Sequence, residues 1–320
     1  MKNSLPMGND ILSYFNQQLP NLSKRLNFQK SESELLNELL LSAYLREVTS
    51  KEELGLFIKS TSESKALINF FMRKLLLSWK IIGEQNLSHA LEYHTNNGRV
   101  IFMLNHTGVI DPPIVNYMLN HFVKSSFMKL IDQPFMTWVA GMRVWNTVFL
   151  RIFARCSEMV TIYSEKYISE AKGTENFSER IGHNVGALQW MKKNQTTLWL
   201  FPEGTWSNKG RLLRGVPDAM NVPRILSKNS NTNVLIVPCY LQNAHRVMPH
   251  LKKQGDQFYD FLQAVRPGKN VTLHIGEPEY WNNIAAEATE KNAETNQKLV
   301  DHVMSNIAKL APLKARGAYA

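Results

Sequence analysis

The stretch Val100-Ile101-Phe102-Met103-Leu104-Asn105-His106-Thr107-Gly108-Val109-Ile110-Asp111-Pro112-Pro113 passes from an apolar run, through a turn, into a proline-primed helix start. Five consecutive apolar residues suit a strand buried on both faces. Proline in a first helical turn loses nothing, because its missing N–H would be unpaired there anyway. The same change of pattern recurs along the chain. Strand-length runs stand at Val100–Leu104, Met159–Tyr163, Thr197–Phe201, Val234–Tyr240 and Val271–Ile275. Helical patterns fall between most of them, at Pro112–Asn120, Pro134–Arg155, Ser178–Lys193 and Asp218–Ser227. In the last of these, Pro223 is expected to kink or shorten the helix. A final helix is expected from about Asn283 to Leu310. Alternating strands and helices predict an α/β fold, with a central, mostly parallel sheet flanked by helices.

Residues before this pattern read differently. Ser31-Glu32-Ser33-Glu34 and Ser50-Lys51-Glu52-Glu53 have capping-box spacing. Leu35, Leu36, Leu39, Leu40 and Tyr44 recur at helical spacing. The expected organisation is an N-terminal helical region over 1–83, an α/β domain over 84–311 and a flexible tail over 312–320.

The 320 residues suffice for a large core. A content of 44% hydrophobic and 20% charged residues fits a folded domain. The net charge of +10 favours an anionic partner: nucleic acid, an anionic membrane or a phosphorylated substrate. Nucleic acid is set aside, because neither a recognisable binding motif nor a concentrated basic run accompanies the charge. The two cysteines, Cys156 and Cys239, are far apart and are read as reduced core thiols. Met1–Pro6 has no apolar h-region, so no signal peptide is expected. The best candidate for a spanning helix, Ala66–Ile82, is broken by Arg73 and Lys74, so none is expected either.

Two short motifs lie about a hundred residues apart, each at the end of a strand-like run. In the first, His106 and Asp111 sit where α/β folds place their ligand sites. A neutral imidazole takes a proton from a hydroxyl at neutral pH, and a carboxylate on its other nitrogen fixes the tautomer. Asp111 is equally placed to cap the helix that follows, and both roles can hold at once. In the second, Phe201-Pro202-Glu203-Gly204-Thr205, proline ends the strand and glycine permits an unusual backbone turn. A carboxylate there can grip hydroxyls, and turn amides can stabilise an oxyanion; an ordinary strand exit with a solvated glutamate is the alternative.

As a pair, Asn-His-x-x-x-x-Asp and Phe-Pro-Glu-Gly-Thr resemble blocks of the glycerolipid acyltransferase family, which includes glycerol-3-phosphate and 1-acylglycerol-3-phosphate O-acyltransferases. The resemblance covers roughly residues 80–245. Gly83–Leu87, Lys129 with Pro134 and Gly141, Val185–Asn194 and Ile236-Val237-Pro238 match its weaker blocks. It implies that His106 is the general base and Asp111 its partner. It implies that Glu203, Gly204 and Thr205 help bind the acceptor, and that the donor is an acyl thioester on coenzyme A or acyl carrier protein. No cofactor, metal or covalent acyl-enzyme is implied, and the acceptor expected is a lysophospholipid-like molecule. Two positions depart from the pattern. Trp206 stands where the third block usually has arginine, and Ser164-Glu165-Lys166 follows the strand after which the second block has another. Those arginines are associated with acceptor phosphate. Lys129, Lys209, Arg211 and Arg214 are the expected substitutes, since phosphate needs a cation more than a fixed address.

Over Phe135–Arg155, a helical wheel puts Trp138, Met142, Trp145, Phe149, Ile152 and Phe153 on one side and Arg143, Arg151 and Arg155 roughly opposite. Trp138, Trp145, Phe149 and Phe153 are thus candidates to face a membrane; a helix packed on the sheet has the same pattern. The expectation is a cytoplasmic acyltransferase peripherally associated with membrane phospholipid. A lipid-binding module with a degraded site, motivated by Trp206, is the rival.

Overall fold

In the computed structural model, the described residues are 20, 22–24, 26–49, 56–125, 136–142, 148–207, 209–228, 233–248, 265–286 and 292–320. The strands are β1 (Phe57–Ile58), β2 (Leu76–Ile82), β3 (Arg99–Leu104), β4 (Met136–Gly141), β5 (Glu158–Ile162), β6 (Thr197–Leu200), β7 (Val234–Gln242), β8 (Lys269–Ile275) and β9 (Glu279–Tyr280). The helices are α1 (Lys30–Thr49), α2 (Ser62–Leu75), α3 (Glu84–Thr95), α4 (Asp111–Ser125), α5 (Val148–Ala154), α6 (Glu165–Glu170), α7 (Asn176–Lys193), α8 (Asn221–Ser227), α9 (Ala244–Val247), α10 (Trp281–Ile284) and α11 (Ala293–Leu310).

These strands join one sheet, in the order β1-β5-β4-β6-β3-β7-β8-β2, with β9 on β7. The centre, β5-β4-β6-β3-β7, is parallel throughout. β8 runs antiparallel to β7, and β2 runs parallel to β8. The α/β sheet expected from the sequence is the one observed.

The pleat sorts the strand side chains into two layers. Val100, Phe102 and Leu104 of β3 join one core with Phe71, Leu87, Ile114 and Met118 of the helices on that side. Ile101 and Met103 point the other way, into a core with Ala187, Met191, Leu226, Val300 and Met304. This is why β3 is apolar at every position from Val100 onward. Helix α11 shows how the second face is closed. Asn292 caps it by accepting the N–H of Thr295 at 2.8 Å. Leu299, Val300, Val303, Met304 and Ile307 form its buried stripe. Burying each such side chain contributes on the order of 2 kcal/mol.

Several expectations are corrected. The region 1–83 is not wholly helical: it supplies β1 and β2, and β2 forms an edge of the main sheet. Ser31 does not begin a helix; α1 starts at Lys30, and Glu32 reaches back to accept the N–H of Gln29 at 2.9 Å. The second capping box, from Ser50, lies outside the described residues. The helix expected over Asp218–Ser227 is shortened, as Pro223 implied: α8 starts only at Asn221, with Pro223 in its first turn, after a 3-10 turn over Pro217–Met220. The final helix begins at Ala293 rather than near Asn283. The segment 312–320 is not frayed: Leu313–Ala315 and Gly317–Tyr319 form 3-10 turns packed on the body of the protein.

The membrane-facing helix is corrected too. Pro134–Arg155 holds a central strand, β4, and the short α5. Trp138 is 1% exposed on β4, where its Nε1–H donates to Asn116 Oδ1 at 3.1 Å, and Phe153 is 2% exposed. Neither faces a membrane. Trp145 and the side chain of Phe149 lie outside the described residues. Arg151 and Arg155 do not reach for headgroups either; they meet the buried Glu47 of α1 at 2.7 and 2.5 Å. Among the described residues, no helix is long and apolar enough to cross a membrane. Cys156 and Cys239 are both free and buried.

Candidate active site

β3 and β6 are parallel neighbours, with Met103 opposite Leu200. Their carboxyl ends therefore deliver residues 105–111 and 201–207 to the same edge of the sheet. That pairing brings the two sequence motifs together.

Asn105 continues the link from β3 to β7 after the strand ends. It is buried, and its Oδ1 accepts the Leu241 N–H at 2.6 Å while Nδ2 donates to Leu241 O at 3.3 Å. The chain then turns at His106. The His106 N–H donates to Glu203 Oε1 at 2.9 Å, and the Ser207 N–H donates to His106 O at 2.8 Å. Both backbone groups of the histidine are thus held by the second motif and the residues just after it.

Asp111, the first residue of α4, is fully buried. Its Oδ2 lies 2.9 Å from His106 Nδ1 and accepts the N–H groups of Thr107 at 2.5 Å and Gly108 at 3.0 Å. Its Oδ1 accepts the Thr107 hydroxyl at 2.7 Å. An oxygen that already accepts two backbone donors is an acceptor for Nδ1–H as well, which leaves a lone pair on Nε2. The alternative role of Asp111, a cap for the helix that follows, is not the one observed: Asp111 is itself the first residue of α4, and the N–H groups it accepts belong to Thr107 and Gly108 in the turn before it. The imidazole stacks on Phe201, with centroids 3.8 Å apart and planes 13° from parallel, and Trp206 stands edge-on to it at 5.7 Å. The ring is fixed about both axes, and 14% of the side chain remains exposed.

Glu203 is placed otherwise than the turn suggested. It is 2% exposed, and both carboxylate oxygens are taken: Oε1 by His106 N–H and Oε2 by Leu213 N–H at 2.8 Å. It is a strut between two loops. Burial pushes its pKa up to about 8, against the two backbone bonds that favour the charged form, and nearby Asp111 adds to the rise. Gly204 turns with φ +65°, and an added Cβ would lie 3.0 Å from Val216. Its N–H donates to Phe201 O at 3.1 Å, so it serves the turn. Gly204 and Thr205 are exposed.

Of the expected cations, Lys209, Arg211 and Arg214 are exposed on the loop that follows, and Arg214 lies 3.5 Å from Asp301. Lys129 lies outside the described residues. The sequence reading missed the strut role of Asn105 and the stacking of Phe201, although both residues stand inside the motifs it singled out.

The sequence model of the family described as acyltransferase matches residues 80–242. No curated protein matches the chain. The crystal structure of the 1-acyl-sn-glycerophosphate acyltransferase PlsC from Thermotoga maritima aligns with 16% identity and a TM-score of 0.44, over 96% of this chain and 97% of that one.

Proposed function

The chain belongs to the acyltransferase family, and from that premise we propose that it moves an acyl group from a thioester, on coenzyme A or acyl carrier protein, to a hydroxyl of a lysophospholipid-like acceptor. The acceptor oxygen gives its proton to Nε2 of His106 as it attacks the thioester carbonyl. A C–O bond forms, and the carbonyl electron pair moves onto oxygen. The tetrahedral adduct then collapses, the C–S bond breaks and thiolate leaves. The imidazolium returns the proton to that sulfur, which regenerates the base.

Asp111 holds the proton on Nδ1 and offsets the charge that develops on the ring. Phe201 and Trp206 set the plane of the imidazole. Glu203 acts on the frame: it sets where His106 sits relative to the loop with Lys209, Arg211 and Arg214. Those cations serve an acceptor phosphate in place of the arginine whose position Trp206 occupies. Thr205, exposed in the turn before them, is available to the acceptor. Because the acceptor is a lipid, the protein works at a membrane surface, and its net charge of +10 suits an anionic leaflet.

The observation that carries this reading is the 2.9 Å contact of His106 Nδ1 with Asp111, which leaves Nε2 as a base. The test is acyl transfer from radiolabelled acyl-CoA, and then acyl carrier protein, to a panel of lysophospholipids and neutral monoacyl acceptors. Labelled diacyl product is expected. Liposome binding without transfer from either donor would contradict the reading.

A further inference from the structure

The segment Pro312–Tyr319 lies against the loop Lys209–Val216. Leu212 is held on both sides of its backbone: its N–H donates to Ala315 O at 2.9 Å, and its C=O accepts the Ala318 N–H at 3.2 Å. Gly317 makes this approach possible. It has φ +56°, and a Cβ there would fall 2.0 Å from Leu212 O. No other residue fits without displacing the loop.

Tyr319 closes the arrangement. Its hydroxyl accepts the Gly215 N–H at 3.0 Å and donates to Asp301 Oδ1 at 2.7 Å. Burial pushes this phenol up to about 12, so it keeps the proton it donates. Gln297 Nε2 donates both to Gly215 O at 3.1 Å and to Asp301 Oδ1 at 2.9 Å, while Asp301 Oδ2 lies 3.5 Å from Arg214. Between Leu212 and Gly215 stands Leu213, whose N–H donates to Glu203 Oε2. A bonded path therefore runs from Tyr319, through the cationic loop, to Glu203 and the backbone of His106.

We infer that Pro312–Tyr319 is a strap that positions the cation-bearing loop for an anionic, phosphate-bearing acceptor, with Tyr319 as its positioning residue. The strap adds the exposed Lys314 to Lys209, Arg211 and Arg214. The inference rests on the acyl-transfer reading above for its acceptor, and on the hydrogen bonds alone for the strap.

The test is Tyr319→Phe, which keeps the ring and removes both hydroxyl bonds. Amide hydrogen exchange at Leu212, Leu213 and Gly215 is expected to quicken by about tenfold, with Ile101–Met103 unchanged. KM for a lysophosphatidate acceptor should rise roughly three- to thirtyfold, with kcat within about twofold, as expected for loss of one or two hydrogen bonds. A neutral monoacylglycerol acceptor should show little change in KM. Gly317→Ala, which acts through the backbone, should give the same pattern. Unchanged exchange in both variants would overturn the strap, whether or not turnover is found. Faster exchange with equal effects on charged and neutral acceptors would overturn its role in binding phosphate. If the wild type transfers to no acceptor, the acyl-transfer reading fails, and with it the role in binding phosphate, while the exchange result decides the strap.

Discussion

His106 Nδ1 and Asp111 Oδ2 lie 2.9 Å apart, and the same oxygen accepts the backbone N–H groups of Thr107 and Gly108. The carboxylate thus shapes the turn and orients the ring with one set of contacts. Asp111→Asn keeps the shape but brings an amide whose N–H groups donate where an acceptor is needed. The substitution is expected to lower kcat by about 10²- to 10⁴-fold, with acceptor KM little changed. Steady-state kinetics on the folded variant checks this; a kcat close to that of wild type would remove Asp111 from the mechanism.

Glu203 gives the protein a pH-dependent stability. Its pKa in the folded state, raised by burial to about 8, lies above the ordinary 4.5. The folded chain therefore keeps a proton that the unfolded chain releases. The associated stability is fully present below about 4.5 and is lost as pH rises through about 8. Urea unfolding midpoints should fall across that window. Glu203→Gln should flatten the fall and lower stability overall, because an amide nitrogen cannot accept the second backbone N–H. An equally steep fall in the variant would place the titration elsewhere.

Glu47 of α1 is buried between Arg151 and Arg155, which frame the end of α5. Removing one partner leaves buried charge without compensation. Glu47→Ala is expected to destabilise the protein by about 3–5 kcal/mol. Denaturant titration measures it, and a loss under about 1 kcal/mol would mean that the cluster relaxes into solvent.

The sequence made the parallel core readable because strands buried on both faces are apolar at nearly every position, as Val234–Tyr240 is. β2 escaped because it follows α2 without a loop: Leu75 ends the helix and Leu76 starts the strand. β4 escaped because Trp138, Met142 and Trp145 match helical spacing as well as Met136–Gly141 matches a strand. Short apolar runs do not separate the two. The positions of His106 and Asp111 were legible, because five residues span the whole contact. The burial of Glu203 was not, since its partner His106 is 97 positions away and depends on β3 pairing with β6. The strap was hidden for the same reason: Ala315, Gly317 and Tyr319 carry no local signal, and Leu212 meets them only in the fold.

The central claim is that Nε2 of His106 is the base. The most direct measurement compares acyl transfer to the preferred lysophospholipid by wild type and His106→Ala, with the fold of each verified by circular dichroism. Turnover is expected to fall by about 10²- to 10⁴-fold in the variant. Undiminished turnover in a folded His106→Ala protein would contradict it.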